Sequence, residues 1–186
     1  MRSYFNSGLF LAAILLFFLP FLEVRCGDGS RFAKMNGFDM AFARGPSFES
    51  EESEEFIADN EELMQKMQAE KKQDWFTLGV LLALGFGIVI QFIPKFQKPV
   101  FSILISFFSV VLLSVMMYAI RKVWDQQMAV YLDNPFFKNM FYVRLHFGIG
   151  LWLVIGLNSL IIIQNIIFFF QDRRASFLQE YKPENN

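Results

Sequence analysis

The residues best suited to chemistry are the chain's one histidine, His146, and its one cysteine, Cys26. Two such groups could form a nucleophile–base pair, but nothing in their spacing indicates that they meet. We interpret His146 as a polar anchor where the fourth apolar segment begins, with catalysis as the weaker alternative. We interpret Cys26 as an unreactive thiol, with an intermolecular disulfide as the alternative. One cysteine excludes an intramolecular disulfide and metal sites built from several thiolates.

A second candidate for chemistry is the crowded run of acidic residues between positions 49 and 62. Its spacing does not match the Asp-x-Asp-x-Asp-Gly pattern of a calcium loop, so no metal or other cofactor is predicted. The run is typical either of a solvated or disordered segment or of an amphipathic helix. No proline occurs between Glu51 and Ile93, so such a helix would continue directly into the next apolar segment. Its apolar side would carry Phe56, Leu63 and Met67.

Charged residues are absent from four long apolar stretches and crowded into the gaps between them. An α-helix needs about 20 mostly apolar residues to cross a hydrocarbon core about 30 Å thick, and it satisfies its own backbone hydrogen bonds there. The sequence therefore predicts an all-α membrane protein, a four-helix transmembrane bundle in a lipid bilayer, formed by residues 1–186 as a single domain. The predicted spans are 5–22, 75–94, 100–120 and 147–170.

The topology follows from the basic residues near the span ends. The density of Lys and Arg favours a cytoplasmic location for the N-terminus, the linker 95–99 and the C-terminus. The segment after the first span reads Glu23-Val24-Arg25-Cys26, which lacks a small-residue cleavage pattern, so we expect that span to be retained. The short basic cytoplasmic segments favour a bacterial inner membrane. Near the outer boundary lie Trp75, Tyr118 and Tyr142.

The extracytoplasmic loops are predicted at 23–74 and 121–146. In the first, Gly27-Asp28-Gly29-Ser30 separates two weakly alternating arms, which predicts a small β-hairpin. In the second, helical spacing continues from the third span to Asp133-Asn134-Pro135, a turn signal. It resumes through residues such as Leu145, so spans three and four are predicted to form one long helical hairpin that protrudes as a stalk. The candidate partner-binding residues of this stalk are Trp124, Met128 and Tyr131.

Small and hydrogen-bonding residues within the spans predict the surfaces where the helices pack, because lipid gives apolar helices little reason to associate. The depths of Ser109 and Asn158 match near mid-bilayer, and those of Ser102 and Asn165 match nearer the inner surface. We therefore expect spans three and four to share hydrogen bonds there. The predicted helix-packing residues are Gly79, Ala83, Gly87, Ser102, Ser106, Ser109, Asn158, Gln164 and Asn165.

The order of elements resembles that of claudin-like four-span proteins, although the Trp-Gly-Leu-Trp and paired-cysteine signature of that family is absent. The net charge of −1 gives no basic footprint for nucleic acid. We expect a non-catalytic membrane subunit that binds other membrane proteins of an envelope complex, and a homo-oligomer stays open. The alternative is a small transporter or channel with a polar path along spans three and four. A membrane enzyme using His146 or the acidic loop is the third option.

Overall fold

The fold is mostly helical. The computed structural model describes the backbone of residues 2–25, 29–48, 74–93, 98–132 and 144–180. Four long helices alternate with a small sheet and one short helix. The helices are α1 (Arg2–Leu15), which continues as a 3-10 turn (Leu16–Phe18), α2 (Gly37–Ala41), α3 (Trp75–Gln91), α4 (Pro99–Leu132) and α5 (Ile149–Glu180).

The first helical segment is shorter than the predicted span 5–22. Helical structure ends at Phe18, Leu19 is extended with ψ 158°, and the chain enters a strand at Pro20. Proline disfavours helical backbone in the residue before it and cannot donate a backbone hydrogen bond. The prediction of helix through Leu22 was therefore wrong, because it followed the apolar composition of the segment and gave too little weight to Pro20.

The sheet contains the predicted hairpin and two further strands. Its strands are β1 (Pro20–Arg25), β2 (Arg31–Asn36), β3 (Ser47–Phe48) and β4 (Arg144–Phe147). All pairs are antiparallel and the spatial order is β3-β2-β1-β4. The second loop thus supplies an edge strand that pairs with the first loop. The helical assignment of Leu145 was wrong, since that residue pairs with Val24.

Helix α3 has its own N-terminus and does not continue an upstream helix. Asp74 is extended, and its carboxylate accepts hydrogen bonds from the backbone N–H groups of Phe76 and Thr77 at 3.3 and 3.2 Å. This is the capping geometry that satisfies the free N–H groups of a first turn. An uninterrupted helix from the acidic run into the second span is therefore excluded at Asp74. The acidic run itself, residues 49–62, lies outside the described residues.

The four long helices pack side by side, with α1 and α4 directed towards the sheet and α3 and α5 directed away from it. The chain passes from α1 through the 3-10 turn into β1, the backbone N–H of Asp74 donates to the Met40 carbonyl of α2 at 3.2 Å, and α5 follows β4. Helix α4 continues to Leu132 as one helix, in agreement with the predicted extension beyond the third span. Residues 133–143, which include the rest of the predicted helical hairpin, lie outside the described residues.

At the sheet end, phenylalanine rings and glycines allow the sheet to sit against the helices. Phe17 packs against Phe21 and Phe38, with ring centroids 4.9 and 5.9 Å apart. A Cβ at Gly150 would lie only 2.8 Å from Leu19 Cβ, and one at Gly148 would collide with the Pro20 carbonyl. The start of α5 can therefore approach the end of the first helical segment only because these residues lack side chains.

In the part of the chain that the structure describes, two helices are long and apolar enough to cross a membrane: Pro99–Gln126 and Ile149–Arg174. Only 28% and 22% of their most apolar stretches are buried inside the molecule, whereas the core helix of a soluble protein is mostly buried. The helical segments Phe5–Phe18 and Trp75–Gln91 are apolar but shorter.

Candidate functional site

A cluster of neutral polar side chains joins the four long helices at the end away from the sheet. Asn6 and Asn165 form a reciprocal amide pair, with N–H···O distances of 3.0 and 3.3 Å. The Ser102 hydroxyl accepts from Asn6 Nδ2 at 3.3 Å and from Gln91 Nε2 at 2.7 Å. Each helix contributes one residue, and all four are at most 2% exposed. We call Asn6, Gln91, Ser102 and Asn165 the amide cluster.

The cluster forms because the four residues lie at the same level of the helix bundle. Asn6 is near the start of α1, Gln91 is the last residue of α3, and Ser102 is in the first turn of α4. Asn165 follows the start of α5 by 16 residues, or about 24 Å of helical rise. Its Nδ2 also donates to the Ile161 carbonyl at 2.9 Å, which fixes the amide on its own helix.

The structure brings together Ser102 and Asn165 of the predicted seam, with Asn6 between them. It places the other predicted pair differently. Ser109 donates to the Ile105 carbonyl and Asn158 to the Val154 carbonyl, both at 2.9 Å within their own helices. Both side chains are fully buried, but no hydrogen bond joins them. The expected Ser109–Asn158 bond was therefore wrong, because the Ser109 hydroxyl and the Asn158 amide N–H each donate to the carbonyl four residues earlier.

Two buried atoms of the same seam lack a partner among the described residues. They are Ser106 Oγ and Asn158 Oδ1. Gln164 is half-buried and does not belong to the amide cluster. The seam is thus hydrogen-bonded between helices at one end only, and nearer the sheet its polar groups bond within their own helices or carry unpartnered atoms.

Sequence reasoning missed Asn6 and Gln91. Asn6 does carry a signal, because an isolated amide in an apolar helix favours an interhelical hydrogen bond. Gln91 lies close to the end of the second span, where a polar residue is ordinarily expected because the membrane–water interface is near. No local pattern showed that it would be 1% exposed.

The small residues of α3 do not form one packing surface. A Cβ at Gly87 would lie 3.1 Å from the Phe10 ring of α1, whereas one at Gly79 would lie 3.2 Å from Leu112 of α4. Eight residues turn a helix by about 80° beyond two full turns, so the two glycines face different neighbours. Ala83, between them, is half-buried.

The predicted partner-binding residues are only partly described. Trp124 is half-buried on α4 and lines a groove beside β4. Met128 and Tyr131 lie on α4, but their side chains are outside the described set, as are residues 49–73, with Phe56, Leu63 and Met67. His146 is exposed on β4, and Cys26 is not described. Within the described ranges, no three His, Cys, Asp or Glu side chains gather as metal ligands would.

The amide cluster can donate and accept hydrogen bonds, but its neutral groups do not titrate in the physiological range. Its chemistry is therefore that of binding and positioning. No protein-family model matches the chain, and no curated protein or solved structure matches it either. The similarity to claudin-like proteins remains one of element order.

Proposed function

We propose that this protein is a non-catalytic integral membrane subunit, whose four long helices cross a bacterial inner membrane with both termini in the cytoplasm and which binds partner proteins of an envelope complex. The observation that carries the proposal is the inverted polarity of the helix bundle. Ser102, Asn158 and Asn165 are fully buried on α4 and α5, while large apolar side chains of the same helices point outwards. Among those at least half exposed are Leu104, Phe107, Phe108, Trp152, Leu160, Ile163, Ile167 and Phe170.

Inverted polarity is unfavourable in water and favourable in lipid. Water-soluble monomers rarely expose contiguous apolar patches larger than a few hundred Å². In hydrocarbon the outward apolar side chains carry no free-energy cost of exposure. The buried amides form hydrogen bonds within the bundle that lipid could not provide. The same surface would also suit contact with other membrane-embedded subunits.

The lengths of the two shorter segments are compatible with crossing. The 14 residues of α1 and the three of the 3-10 turn extend about 27 Å at 1.5 and 2.0 Å per residue. The 17 residues of α3 extend about 26 Å. Both fall a few Å short of a 30 Å core, a mismatch that local bilayer thinning accommodates at a modest energetic cost.

A transporter with a polar path along α4 and α5 is the rival function. Such a path needs side chains that face a wet cavity, as intramembrane polar groups of transporters do. Ser102, Ser109 and Asn165 are instead fully buried among packed helices, and two of the three donate to carbonyls of their own helix. These contacts support the subunit over the transporter.

The described surface best placed for a partner outside the bilayer is the extension of α4 beyond Ile120. There Val123 is 52% exposed between the charged residues Lys122 and Asp125. The test is a photo-crosslinking amino acid introduced at Val123 in the full-length protein, with the fully buried Val154 as the matched control position. After irradiation in native membranes, we expect a discrete protein adduct from position 123 and none from position 154.

A chain that gives no protein adduct at Val123 and that elutes as a monomer from mild detergent would contradict the partner-binding role. An adduct with twice the mass of the chain would identify the partner as a second copy. If the protein stayed in solution without detergent, the membrane placement itself would be wrong.

A further inference from the structure

A groove of about 370 Å³ lies at the sheet end of the molecule, between α4 and the edge strand β4. Pockets of this size accommodate small ligands or parts of larger ones. Two guanidinium groups and one carboxylate line it, so its formal charge is positive even with His146 neutral. The lining residues are Arg121, Trp124, Asp125, Arg144, Leu145, His146 and Phe147.

The sheet beside the groove carries an unusual row of like charges. In the strand register, Arg25 of β1 lies opposite Arg31 of β2 on one side and opposite Arg144 of β4 on the other. Directly opposed residues in antiparallel strands have Cβ atoms about 5 Å apart, and like charges there are destabilising. The three arginines therefore form a row across β2, β1 and β4, and this row ends at the groove.

The one carboxylate at the centre of this sheet is already engaged. Glu23 is 5% exposed and accepts from Arg25 at 2.6 and 3.0 Å, while Arg31 approaches it at 3.7 Å. These contacts involve arginines of β1 and β2. Arg144 lies at the other end, on the groove wall, together with Arg121 from α4. Over its lining residues, the groove thus has two guanidinium groups, from Arg121 and Arg144, against the one carboxylate of Asp125.

We propose that this groove binds a phosphate-bearing anion, held by Arg121 and Arg144. Guanidinium groups bind phosphate oxygens through charge-assisted, often bidentate hydrogen bonds. An anion between the two groups would also lower the repulsion along the arginine row. Trp124 and Phe147 supply apolar walls for whatever carries the phosphate.

The position of the groove makes it accessible to two sources of phosphate. Arg121 and Lys122 are the first charged residues of α4 after its apolar run, and Trp rings are enriched at membrane–water interfaces. With the bilayer placement proposed above, on which this step rests, the groove opens at the level of the lipid headgroups. The phosphate of an anionic phospholipid can reach it from the membrane, and free phosphate can reach it from solution.

The experiment compares the full-length protein with the variants Arg121→Gln, Arg144→Gln and their combination. The matched control is Arg174→Gln, an exposed arginine on α5 about 38 Å of helical rise from Ile149. In detergent micelles, native mass spectrometry follows retention of phosphatidylglycerol against phosphatidylcholine, and calorimetry follows binding of inorganic phosphate. We expect each single variant to bind about tenfold more weakly and the double variant about a hundredfold, as loss of one or two charged hydrogen bonds predicts, and Arg174→Gln to be unchanged.

Lipid retention that inorganic phosphate displaces assigns the site to a headgroup. Phosphate binding without lipid selection assigns it to a soluble anion, and either result supports the groove as an anion site. Equal binding by wild type and the double variant would overturn the proposal. Because Arg121→Lys and Arg144→Lys keep the charge, they should recover part of the affinity, which separates binding from misfolding. The phosphate titration needs neither bilayer nor partner, so it can fail or succeed independently of the proposed function.

Discussion

Asn158 and Asn165 lie seven residues apart on α5 and are both fully buried. Their side chains differ in hydrogen bonding, so burying them has different effects on stability. Asn165 exchanges two hydrogen bonds with Asn6 across 159 residues of sequence. Asn158 donates only to its own helix, and its Oδ1 lacks a partner among the described residues. A buried polar atom without a partner costs free energy, whereas a paired one stabilises modestly.

This difference predicts opposite outcomes for two identical substitutions. Asn165→Leu should lower the free energy of unfolding by about 1–2 kcal/mol, because it leaves the Asn6 amide buried and removes an interhelical bond. Asn158→Leu should leave stability unchanged or raise it, because it replaces an unpartnered acceptor by an apolar group of similar size. Unfolding by SDS titration in mixed micelles, followed by circular dichroism, measures both.

The half-buried Gln164 is the control for position on the same helix, and Gln164→Leu should have little effect. Equal destabilisation by Asn158→Leu and Asn165→Leu would show that the amide cluster has no special part in holding the helices together.

Among the elements, β4 and the start of α5 depend on close backbone approach. Gly148 donates its N–H to the Phe21 carbonyl at 2.8 Å, which continues the pairing of β1 with β4. Its missing side chain leaves room for the Pro20 carbonyl. Backbone cannot move aside as a flexible side chain can, so this contact fixes the angle at which α5 leaves the sheet.

Gly148→Ala should therefore destabilise the protein by about 1–3 kcal/mol, the usual cost of overpacking. Gly156→Ala is the matched control, since a Cβ there meets nothing within 4 Å. That variant should be neutral or more stable by up to about 1 kcal/mol, because alanine favours helix more than glycine does. Thermal unfolding in detergent distinguishes the two, and a neutral Gly148→Ala would argue against the close approach of β4 and β1.

At the scale of the described molecule, contacts at both ends of the bundle hold the four long helices together. The sheet, the phenylalanine rings around Phe38 and the close glycine contacts tie the helices at one end. The amide cluster ties them at the other, about 24 Å along α5 from the sheet by helical rise. Between these ends the core consists mainly of apolar side chains such as Leu84, Leu113 and Val154. Such contacts hold the four helices together near both ends of the described bundle, as the proposed subunit role requires.

The alternating helix directions predict that the sheet end and the amide-cluster end lie on opposite sides of the membrane. In a Cys26→Ser background, single cysteines at Val123 and at Asp172 test this with a membrane-impermeant thiol reagent. We expect Val123→Cys to be labelled from the extracytoplasmic side of intact spheroplasts, and Asp172→Cys only after permeabilisation. Labelling of both positions from one side would rule out the four-span topology, and reversed labelling would invert the orientation.

Local signals in the chain were enough to predict the hairpin, the extension of α4 and the helical character of the four apolar segments. The Gly-Asp-Gly-Ser sequence lies between the two strands that it predicts. An uncharged run such as 100–120 is recognised by its composition alone. Pro20 ends the first helical segment earlier than composition alone predicted, and the capping Asp74 begins α3 at Trp75, the predicted start of the second span. Each of these features depends on residues within one or two turns of each other, which is why the sequence carries them.

Three contacts could not be predicted from local signals. They are the pairing of Leu145 with Val24, the hydrogen bonds of Asn6 with Asn165, and the position of Arg144 opposite Arg25 in the arginine row. Each joins residues more than a hundred positions apart, and nothing in either segment specifies its partner. Such contacts are selected only when the helices pack, because that packing decides which polar group finds a hydrogen bond and which is left without one. The uncharged segments can be identified from the sequence alone, but the amide cluster and the basic groove form only when the chain folds.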